Sequence, residues 1–284
     1  MLIKANRGTA MGPGRVNLMF MNSVVLFGVL LTAIPFIYMI TASFRDQGEL
    51  YSLPVTIMPR EWHGHNYQKL FGDTNFVIWY GNTIFTAGVR TVLGVYFAAL
   101  AGAAFAKYNF RFKRFFFFLV LATLTLPFQV LLVPLFLMMV DFGWVDTYWA
   151  VIVPGIVIAF NIFLMRQYIE SVPDELMDAA RIDGASEFGI FHRIIIPLVR
   201  PALGVVAILT FVNTWNDFLW PLIVLHDDTK YMLALGIATM EGPYDVEIGA
   251  IMAASFLSTL PILIVFVLMQ RQIIAGLTQG AIRG

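Results

Sequence analysis

Three short groups of residues in this 284-residue chain have types and spacings that could do chemistry. The stretch DAARIDGAS, residues 178–186, sets two acids, an arginine and a glycine between two apolar runs. The stretch NTWND, residues 213–217, places amide, indole and carboxylate groups inside an apolar run, and EWHGH, residues 61–65, holds two imidazoles. DAARIDGAS could dock to a partner, NTWND could form hydrogen bonds to a solute, and EWHGH could bind a metal.

Catalytic signatures are absent from the sequence. A phosphate-binding loop of the form G-x-x-x-x-G-K-[ST] requires a glycine before its lysine, and none of the five lysines follows a glycine. Nothing resembles a Ser-His-Asp set. His63 and His65 lack acids at ligand spacing, so we expect ordinary loop histidines and no metal site. We therefore expect a protein that is not an enzyme and that holds no cofactor of its own.

The composition places the chain in a bilayer. Hydrophobic residues make up 59% of it and charged residues only 13%, with a mean hydropathy of +0.79, which is too apolar for an ordinary soluble domain. A bilayer core of about 30 Å takes about 20 apolar residues per helix. Six stretches are long enough, and they predict an all-α polytopic membrane protein with a single domain over residues 1–284: 17–41, 79–106, 115–140, 148–168, 202–225 and 247–270.

The distribution of charge predicts an orientation. Lys plus Arg and Asp plus Glu both total 18, so no basic excess indicates nucleic acid. Thirteen of the basic residues flank one side of the six spans and four flank the other, and positively charged flanks stay in the cytoplasm. We therefore predict that both termini and residues 169–200 are cytoplasmic.

The cytoplasmic segment 169–200 predicts two short helices joined at Gly184. Ser171 and Asp174 have the spacing of a capping box, and Ser186 can cap the second helix. Pro197, with a second proline after it, separates that helix from the fifth span. The first helix presents one narrow face, formed by Leu176, Ala179, Ala180 and Asp183. Docking to a cytoplasmic partner is the favoured interpretation of this face, and a pair of interfacial helices lying on lipid is the alternative.

These residues carry a resemblance to a known family. The stretch DELMDAARIDGASEFGIFHRIIIPLVRP resembles the EAA loop of ATP-binding-cassette importer permeases, whose pattern is E-A-A, three residues, G-A and later I-x-x-P. The matching positions are Asp178, Ala179, Ala180, Gly184, Ala185, Ile194 and Pro197. Asp178 departs from the usual glutamate by one methylene and keeps the charge. SFRDQGEL, MPREWHGHNYQKLF, TWNDFLWPLIVL and RQIIAGLTQGAIRG extend the resemblance to the six-span carbohydrate permeases of the maltose-transporter type.

The resemblance implies an architecture and a set of partners. It implies the MetI-like permease fold in a bacterial inner membrane, a second and different permease, an external solute-binding protein, and two ATPase subunits that hold the ATP and Mg. In that family the EAA loop fits a cleft on the ATPase and transmits its closure to the membrane helices. The coupling residues are then Asp178, Ala179, Ala180, Asp183, Gly184, Ala185 and Pro197.

The stretch NTWND predicts polar groups deep in the fifth span. If that span begins near residue 202, Asn213 lies about 16 Å along it, near the bilayer midplane. Polar groups at that depth must face protein or water. Trp215 can offer an aromatic face to a sugar ring, with Asn216 and Asp217 as hydrogen-bonding groups. These four residues are the candidate solute pathway, and the alternative is helix packing that shapes the pore wall.

Arg90 is the one basic residue deep inside a predicted span. It is followed by Gly94, Ala98, Gly102 and Ala106, a small-residue pattern that lets helices approach closely. We expect Arg90 to point into the bundle and form an interhelical hydrogen bond or ion pair with a partner that the sequence does not identify; a role in the solute path is the alternative. Kinks are also expected at three prolines within spans, Pro127, Pro134 and Pro154.

The leading hypothesis is the permease subunit of an ATP-binding-cassette importer for a sugar or sugar-like solute. One alternative is an importer permease for a non-sugar solute. Another is a secondary transporter or channel that acts without an ATPase. A secondary transporter more often shows paired intramembrane acids or an internal repeat, and the sequence shows neither clearly.

Overall fold

The computed structural model describes residues 15–54, 56–242 and 247–281, with side chains described between residues 20 and 270. Every regular element within these ranges is helical. The helices are α1 (Arg15–Ala42), α2 (Gln47–Leu50), α3 (His65–Asp73), α4 (Phe76–Lys107), α5 (Lys113–Thr123), α6 (Phe128–Asp141), α7 (Tyr148–Ile152), α8 (Ala159–Glu170), α9 (Asp174–Ile182), α10 (Glu187–Leu198, with a π-helical turn at Phe191–Ile195), α11 (Arg200–Trp215), α12 (Leu219–Val224), α13 (Leu233–Thr239) and α14 (Ile248–Ala281).

The helices provide four to six membrane spans within the described residues. Four segments are long and apolar enough to cross a bilayer: Phe20–Ala42, Phe76–Lys107, Tyr148–Glu170 and Ile248–Gln270. Two bent helix pairs, α5 with α6 and α10 with α11, raise the number to six if each pair is one span. The prediction of an all-α polytopic membrane protein is confirmed.

The third predicted span is sharply broken. α5 and α6 meet at 103° across the connection that ends at Pro127. Pro127 has extended backbone angles, with φ −61° and ψ 134°, and its ring disfavours a helical conformation at the residue before it. The kink predicted at Pro127 is therefore a near right-angle break. Pro154 lies in the 3-10 turn Val153–Gly155, which interrupts the fourth span, and Pro134 lies inside α6.

The fifth predicted span, 202–225, is not one helix. α11 ends at Trp215, and Asn216 to Phe218 separate it from α12. At 1.5 Å per residue the 16 residues of α11 reach about 24 Å, which is less than the bilayer core. α12 continues the apolar run beyond the break, and the polar residues of NTWND lie at and just before the break. At its other end, α11 meets α10 at 82°.

α4 is the central helix of the bundle. Its buried face includes Gly94, Ala98 and Gly102. A Cβ atom on Gly102 would lie 2.7 Å from the Cβ of Met165 and 2.9 Å from the backbone nitrogen of Arg166, both in α8. The close helix approach predicted from the small-residue pattern is therefore confirmed, because only a glycine leaves room for the backbone of α8.

Two buried apolar clusters lie along α4. The loop-side cluster joins Ala98, Ala99 and Ala103 to side chains of α8, α9, α10 and α11, among them Met177 and Phe191. The far cluster joins the start of α4 to Trp215 and to the small residues of α14. α4 therefore supports both the segment 169–200 and the opposite end of the bundle.

Candidate functional site

The stretch 178–186 forms a tight turn between α9 and α10. Gly184 has φ +82°; its N–H donates to the carbonyl of Arg181, and the N–H of Ala185 donates to the carbonyl of Ala180. These two bonds form a Schellman motif with the glycine in the left-handed region. The hydroxyl oxygen of Ser186 accepts a hydrogen bond from the N–H of Gly189 at 3.1 Å and caps α10. The helix end predicted at Gly184 and the cap predicted at Ser186 are confirmed.

The predicted capping box at the start of α9 is wrong. Pro173 is the N-cap residue and makes no side-chain cap. The Ser171 hydroxyl donates to the carbonyl of Tyr168 at 2.7 Å, which closes the end of α8 instead. The Asp174 carboxylate lies 2.7 Å from the ammonium of Lys107, so this ion pair replaces the expected reciprocal caps.

Arg181 connects the two helices of the turn. Its guanidinium donates from Nε to Oε1 of Glu187 at 2.7 Å and from Nη2 to Oε2 at 3.1 Å. A third bond, from Nη1 to Oδ1 of Asp178, is 2.7 Å long. Bidentate pairing fixes geometry as well as adding energy. Asp178, the first residue of the E-A-A match, is therefore engaged inside the turn.

The hydroxyl of Tyr108, the residue after α4, donates to Oε2 of Glu187 at 2.8 Å. Burial, together with the hydrogen bond to the Glu187 carboxylate and its charge, raises the pKa of Tyr108 to about 12, so the hydroxyl stays protonated and donates at neutral pH. Hydrogen bonds from Arg181 and Tyr108 lower the pKa of Glu187, which keeps it ionised. The network therefore persists at physiological pH.

The outward side of this turn is exposed and partly apolar. Ala179, Asp183, Gly184 and Ala185 are exposed, and the Leu176 side chain is 44% exposed. Ala180 was expected on the same face, but it packs against the loop-side cluster beside Met177, because these residues three apart share the inner side of α9. Ile182 is 87% exposed and Phe188 is 64% exposed. We call this set the coupling surface: Leu176, Ala179, Ile182, Asp183, Gly184, Ala185 and Phe188.

Sequence reasoning missed Ile182 and Phe188. The predicted face followed the alanines of the motif, and helical spacing alone places Phe188 on the same face as Phe191 and Ile195. In the structure Phe191 and Ile195 are buried while Phe188 is exposed, because the buried side of α10 also includes Ile190, and Phe188, two residues before Ile190, lies on a different side of the helix. Pro197 lies two residues after that turn, and the chain breaks at Val199, between Pro197 and Pro201.

In the membrane, Arg90 joins two helix breaks. Its Nη1 lies 3.2 Å from Oδ2 of Asp217, and the side chains are 7% and 20% exposed. A Cβ on Gly155, in the break of the fourth span, would lie only 1.7 Å from Nη2 of Arg90. The guanidinium therefore occupies the space that a side chain at Gly155 would take. The expected interhelical ion pair is present, and its partner, which the sequence did not identify, is Asp217 at the break of the fifth span.

The sequence held a signal for this pair. Asp217 is the one acid well inside the six predicted spans, as Arg90 is the one deep base. Because an isolated charge in a bilayer is costly, the two are each other's natural partners. Asp217 also accepts a hydrogen bond from the backbone of Trp220.

The structure assigns Trp215 to helix packing, which corrects its place in the candidate pathway. The side chain is 3% exposed, its ring stacks on Phe211 at 5.5 Å, and Tyr80 meets it edge-on at 5.6 Å. Its indole N–H donates to the carbonyl of Ser258 in α14 at 3.0 Å. No face of the ring is therefore left for a sugar, and packing, the alternative left open by the sequence, accounts for this residue.

Asn213 and Asn216 are both exposed, three residues apart near the end of α11. Asn216 ends the helix, and its amide donates to the carbonyl of Val212 at 2.8 Å. Of the four predicted pathway residues, these two present polar groups at the surface of the chain, while Asp217 is engaged with Arg90.

The opposite end of the bundle is held by a second polar network. Asp146 has φ +60°; its carboxylate lies 2.7 Å from the ammonium of Lys230 and accepts hydrogen bonds from the N–H groups of His226 and Asp227. Burial alone would raise the pKa of Asp146, but these partners outweigh it and lower the pKa to about 2. The Trp79 indole donates to the carbonyl of Asp228 at 2.7 Å. The loop after α12 is therefore fixed to α4 and to the turn before α7.

Across the described ranges, no three His, Asp or Glu side chains are grouped where they could hold a metal ion. His63 and His65 lie with their ring centroids 6.0 Å apart, near single carboxylates. The expectation that this chain binds no metal stays a prediction.

Comparison with known proteins decides the family. Residues 91–279 match the family described as "Binding-protein-dependent transport system inner membrane component". The chain belongs to this family. The matched range includes the coupling surface and the break at Asp217. This importer permease is a membrane-spanning component, as the sequence resemblance predicted.

Relatives of the permease cover nearly its whole length. It is 41% identical to an arabinooligosaccharides transport system permease protein of Halalkalibacterium halodurans, over 91% of this chain and 94% of that protein. It is 32% identical to a lactose transport system permease protein of Rhizobium radiobacter, over 90% and 93%. A chain of a bacterial ABC transporter involved in the import of the acidic polysaccharide alginate superposes with a TM-score of 0.80 at 26% identity, over 92% of this chain and 98% of that chain. The predicted fold is therefore confirmed.

Proposed function

We propose that this chain is one of two different permease subunits in an importer that carries a sugar across a bacterial inner membrane. Two ATPase subunits bind and hydrolyse ATP with Mg on the cytoplasmic side, and an external solute-binding protein delivers the sugar. Both termini of the chain lie in the cytoplasm. The observation that carries the proposal is the coupling surface, where Ile182 and Phe188 are more than half exposed on a turn whose two helices are joined by the hydrogen bonds of Arg181.

The coupling surface suits a protein partner better than lipid. The surface includes one acid, Asp183, and no Lys or Arg, and the exposed carboxylate of Asp178 lies beside it. A lipid-bound interfacial helix normally carries a basic polar face. Gly184 shapes the turn, and Ala179 and Ala185 leave room for close approach. Asp178 acts through its ion pair with Arg181, and the partly buried Ala180 acts through the loop-side cluster.

The solute path is proposed to be electrically neutral on this subunit. The deep charges of the chain, Arg90 and Asp217, satisfy each other at 3.2 Å. The exposed polar groups near the break of the fifth span are the amides of Asn213 and Asn216, which both donate and accept hydrogen bonds as sugar hydroxyls require. Relatives named for arabinooligosaccharides and for lactose support an uncharged carbohydrate as the solute.

Cross-linking from the coupling surface tests the proposal. The chain has no cysteine, so Ile182→Cys gives a single attachment point for a benzophenone maleimide. With the partner subunits co-expressed, illumination is expected to link this position to an ATPase subunit, because the side chain is 87% exposed at the centre of the surface.

Phe118→Cys is the matched control, since Phe118 is also well exposed, at 65%, but lies in the third span. It is expected to give no ATPase product. Equal ATPase cross-linking from both positions, or none from Ile182→Cys in an assembled complex, would contradict the proposed docking.

A further inference from the structure

The cytoplasmic end of α4 holds the start of the coupling turn. The ammonium of Lys107, the last residue of α4, lies 2.7 Å from the Asp174 carboxylate and donates to the backbone carbonyls of Glu170 and Val172. The Lys107 side chain is only 5% exposed. One buried cation therefore fastens the end of α8 and the start of α9 to α4.

The next residue holds the other half of the turn. Tyr108 donates its hydroxyl to Glu187, the first residue of α10, and Glu187 in turn receives the bidentate pair from Arg181. The last residue of α4 thus contacts the start of α9, and the residue after it contacts the start of α10. We call Lys107 and Tyr108 the α4 clamp.

The same helix reaches the break of the fifth span. Arg90 lies 17 residues before Lys107, which is about 26 Å along an α-helix. There it pairs with Asp217 and fills the space over Gly155. Between these two points α4 is continuous, contains no proline and packs through Ala98 and Ala103 against the loop-side cluster.

A second route from the turn to the span exists along the chain itself. It runs from α10 through Val199 into α11, where the two helices meet at 82°. Val199 has φ −100° and ψ +16°, outside regular helical geometry. Its N–H donates to the carbonyl of Ile195 and its carbonyl accepts from the N–H of Leu203, so it belongs to the ends of both helices, while Pro201 has no N–H to donate across the bend. The angle between α10 and α11 can change at this bend, so a rotation of α10 need not rotate α11. α4 is one continuous helix with polar contacts near both ends, and we expect it to move as one body.

We propose that α4 is the element that carries motion of the coupling turn to the break at residues 216–218, with Lys107, Tyr108 and Arg90 as positioning residues. This inference rests on the proposed function, because it needs an ATPase that moves the turn. In this arrangement the clamp converts a displacement of α9 and α10 into a displacement of α4, and the Arg90–Asp217 pair passes it to the fifth span.

The experiment uses the full complex in lipid nanodiscs with its own partner subunits. Asn216→Cys, the single cysteine of this chain, reports the state of the break through its rate of reaction with a membrane-impermeant maleimide, with and without ATP plus vanadate. Lys107→Met and Tyr108→Phe, combined, remove the polar contacts of the clamp and keep the apolar bulk. Lys113→Met, at the start of the next helix, is the control.

With the clamp intact, and equally in the Lys113→Met control, trapping with ATP and vanadate is expected to change the maleimide rate by about tenfold or more. The double variant is expected to bind the ATPase and hydrolyse ATP, yet to change its maleimide rate less than threefold. A tenfold change in the double variant overturns the inference and assigns transmission to Val199. Loss of ATPase binding in the double variant also overturns it, because the clamp would then build the docking surface. Absence of ATPase binding in the unaltered complex is a failure of the proposed function itself.

Discussion

Replacing Asp217 by alanine is expected to lower the free energy of unfolding of the permease by about 3–5 kcal/mol, because Arg90 is left buried without its counter-charge. The guanidinium is 7% exposed and is enclosed between Gly155 and the break of the fifth span. Its Nε already lacks a hydrogen-bond partner, so Asp217 supplies the principal compensation for its charge. Chemical unfolding in mixed micelles measures the loss.

A double-mutant cycle separates the ion pair from simple packing. Arg90→Met combined with Asp217→Leu removes both charges, and this variant is expected to be more stable than Asp217→Ala alone. Asn216→Ala, at the neighbouring exposed position, is the control and is expected to change stability by less than about 0.5 kcal/mol. A double variant that loses as much as the sum of its single variants would show that the two side chains act independently.

Gly102→Ala is expected to cost about 1–3 kcal/mol, since its Cβ would overlap the backbone of α8. The nearest atoms would be the Cβ of Met165 at 2.7 Å and the nitrogen of Arg166 at 2.9 Å, and a backbone atom cannot move away as a flexible side chain does. The two helices must then separate along their closest contact.

The same substitution elsewhere on α4 provides the control. Gly88 has no atom within 4 Å of the position of an added Cβ. Gly88→Ala is therefore expected to be neutral or to stabilise the helix by up to about 1 kcal/mol, through the reduced freedom of the unfolded chain. Thermal unfolding of the two variants side by side measures the difference. Equal stability would mean that α4 and α8 are not packed backbone to backbone.

Local signals in the sequence predicted the parts of the molecule that local chemistry decides. The apolar runs predicted the spans, and Gly184 and Ser186 predicted the turn, because a left-handed glycine and a capping hydroxyl act within a few residues. The small residues of α4 predicted its tight packing, since small side chains four residues apart let helix backbones approach closely.

Features that depend on distant residues could not be predicted in the same way. The capping box failed because Lys107, more than sixty residues earlier, attracts Asp174. Trp215 lies in the core because it contacts Ser258 and Tyr80. Both residues belong to other helices, so the stretch NTWND alone does not reveal these contacts. The exposure of Phe188 follows from the packing of Ile190, Phe191 and Ile195 into the loop-side cluster, which the apolar periodicity of α10 alone does not reveal. The pairing of Arg90 with Asp217 was within reach of the sequence through a count of deep charges.

Reconstituted transport tests the central claim most directly. Proteoliposomes that contain this chain, its second permease, the two ATPase subunits and the external binding protein are to be given radiolabelled neutral disaccharides and oligosaccharides. We expect uptake only when ATP is present on the ATPase side and all partners are included. Accumulation of the same sugars by the purified chain alone, driven by an ion gradient without ATP, would contradict this expectation.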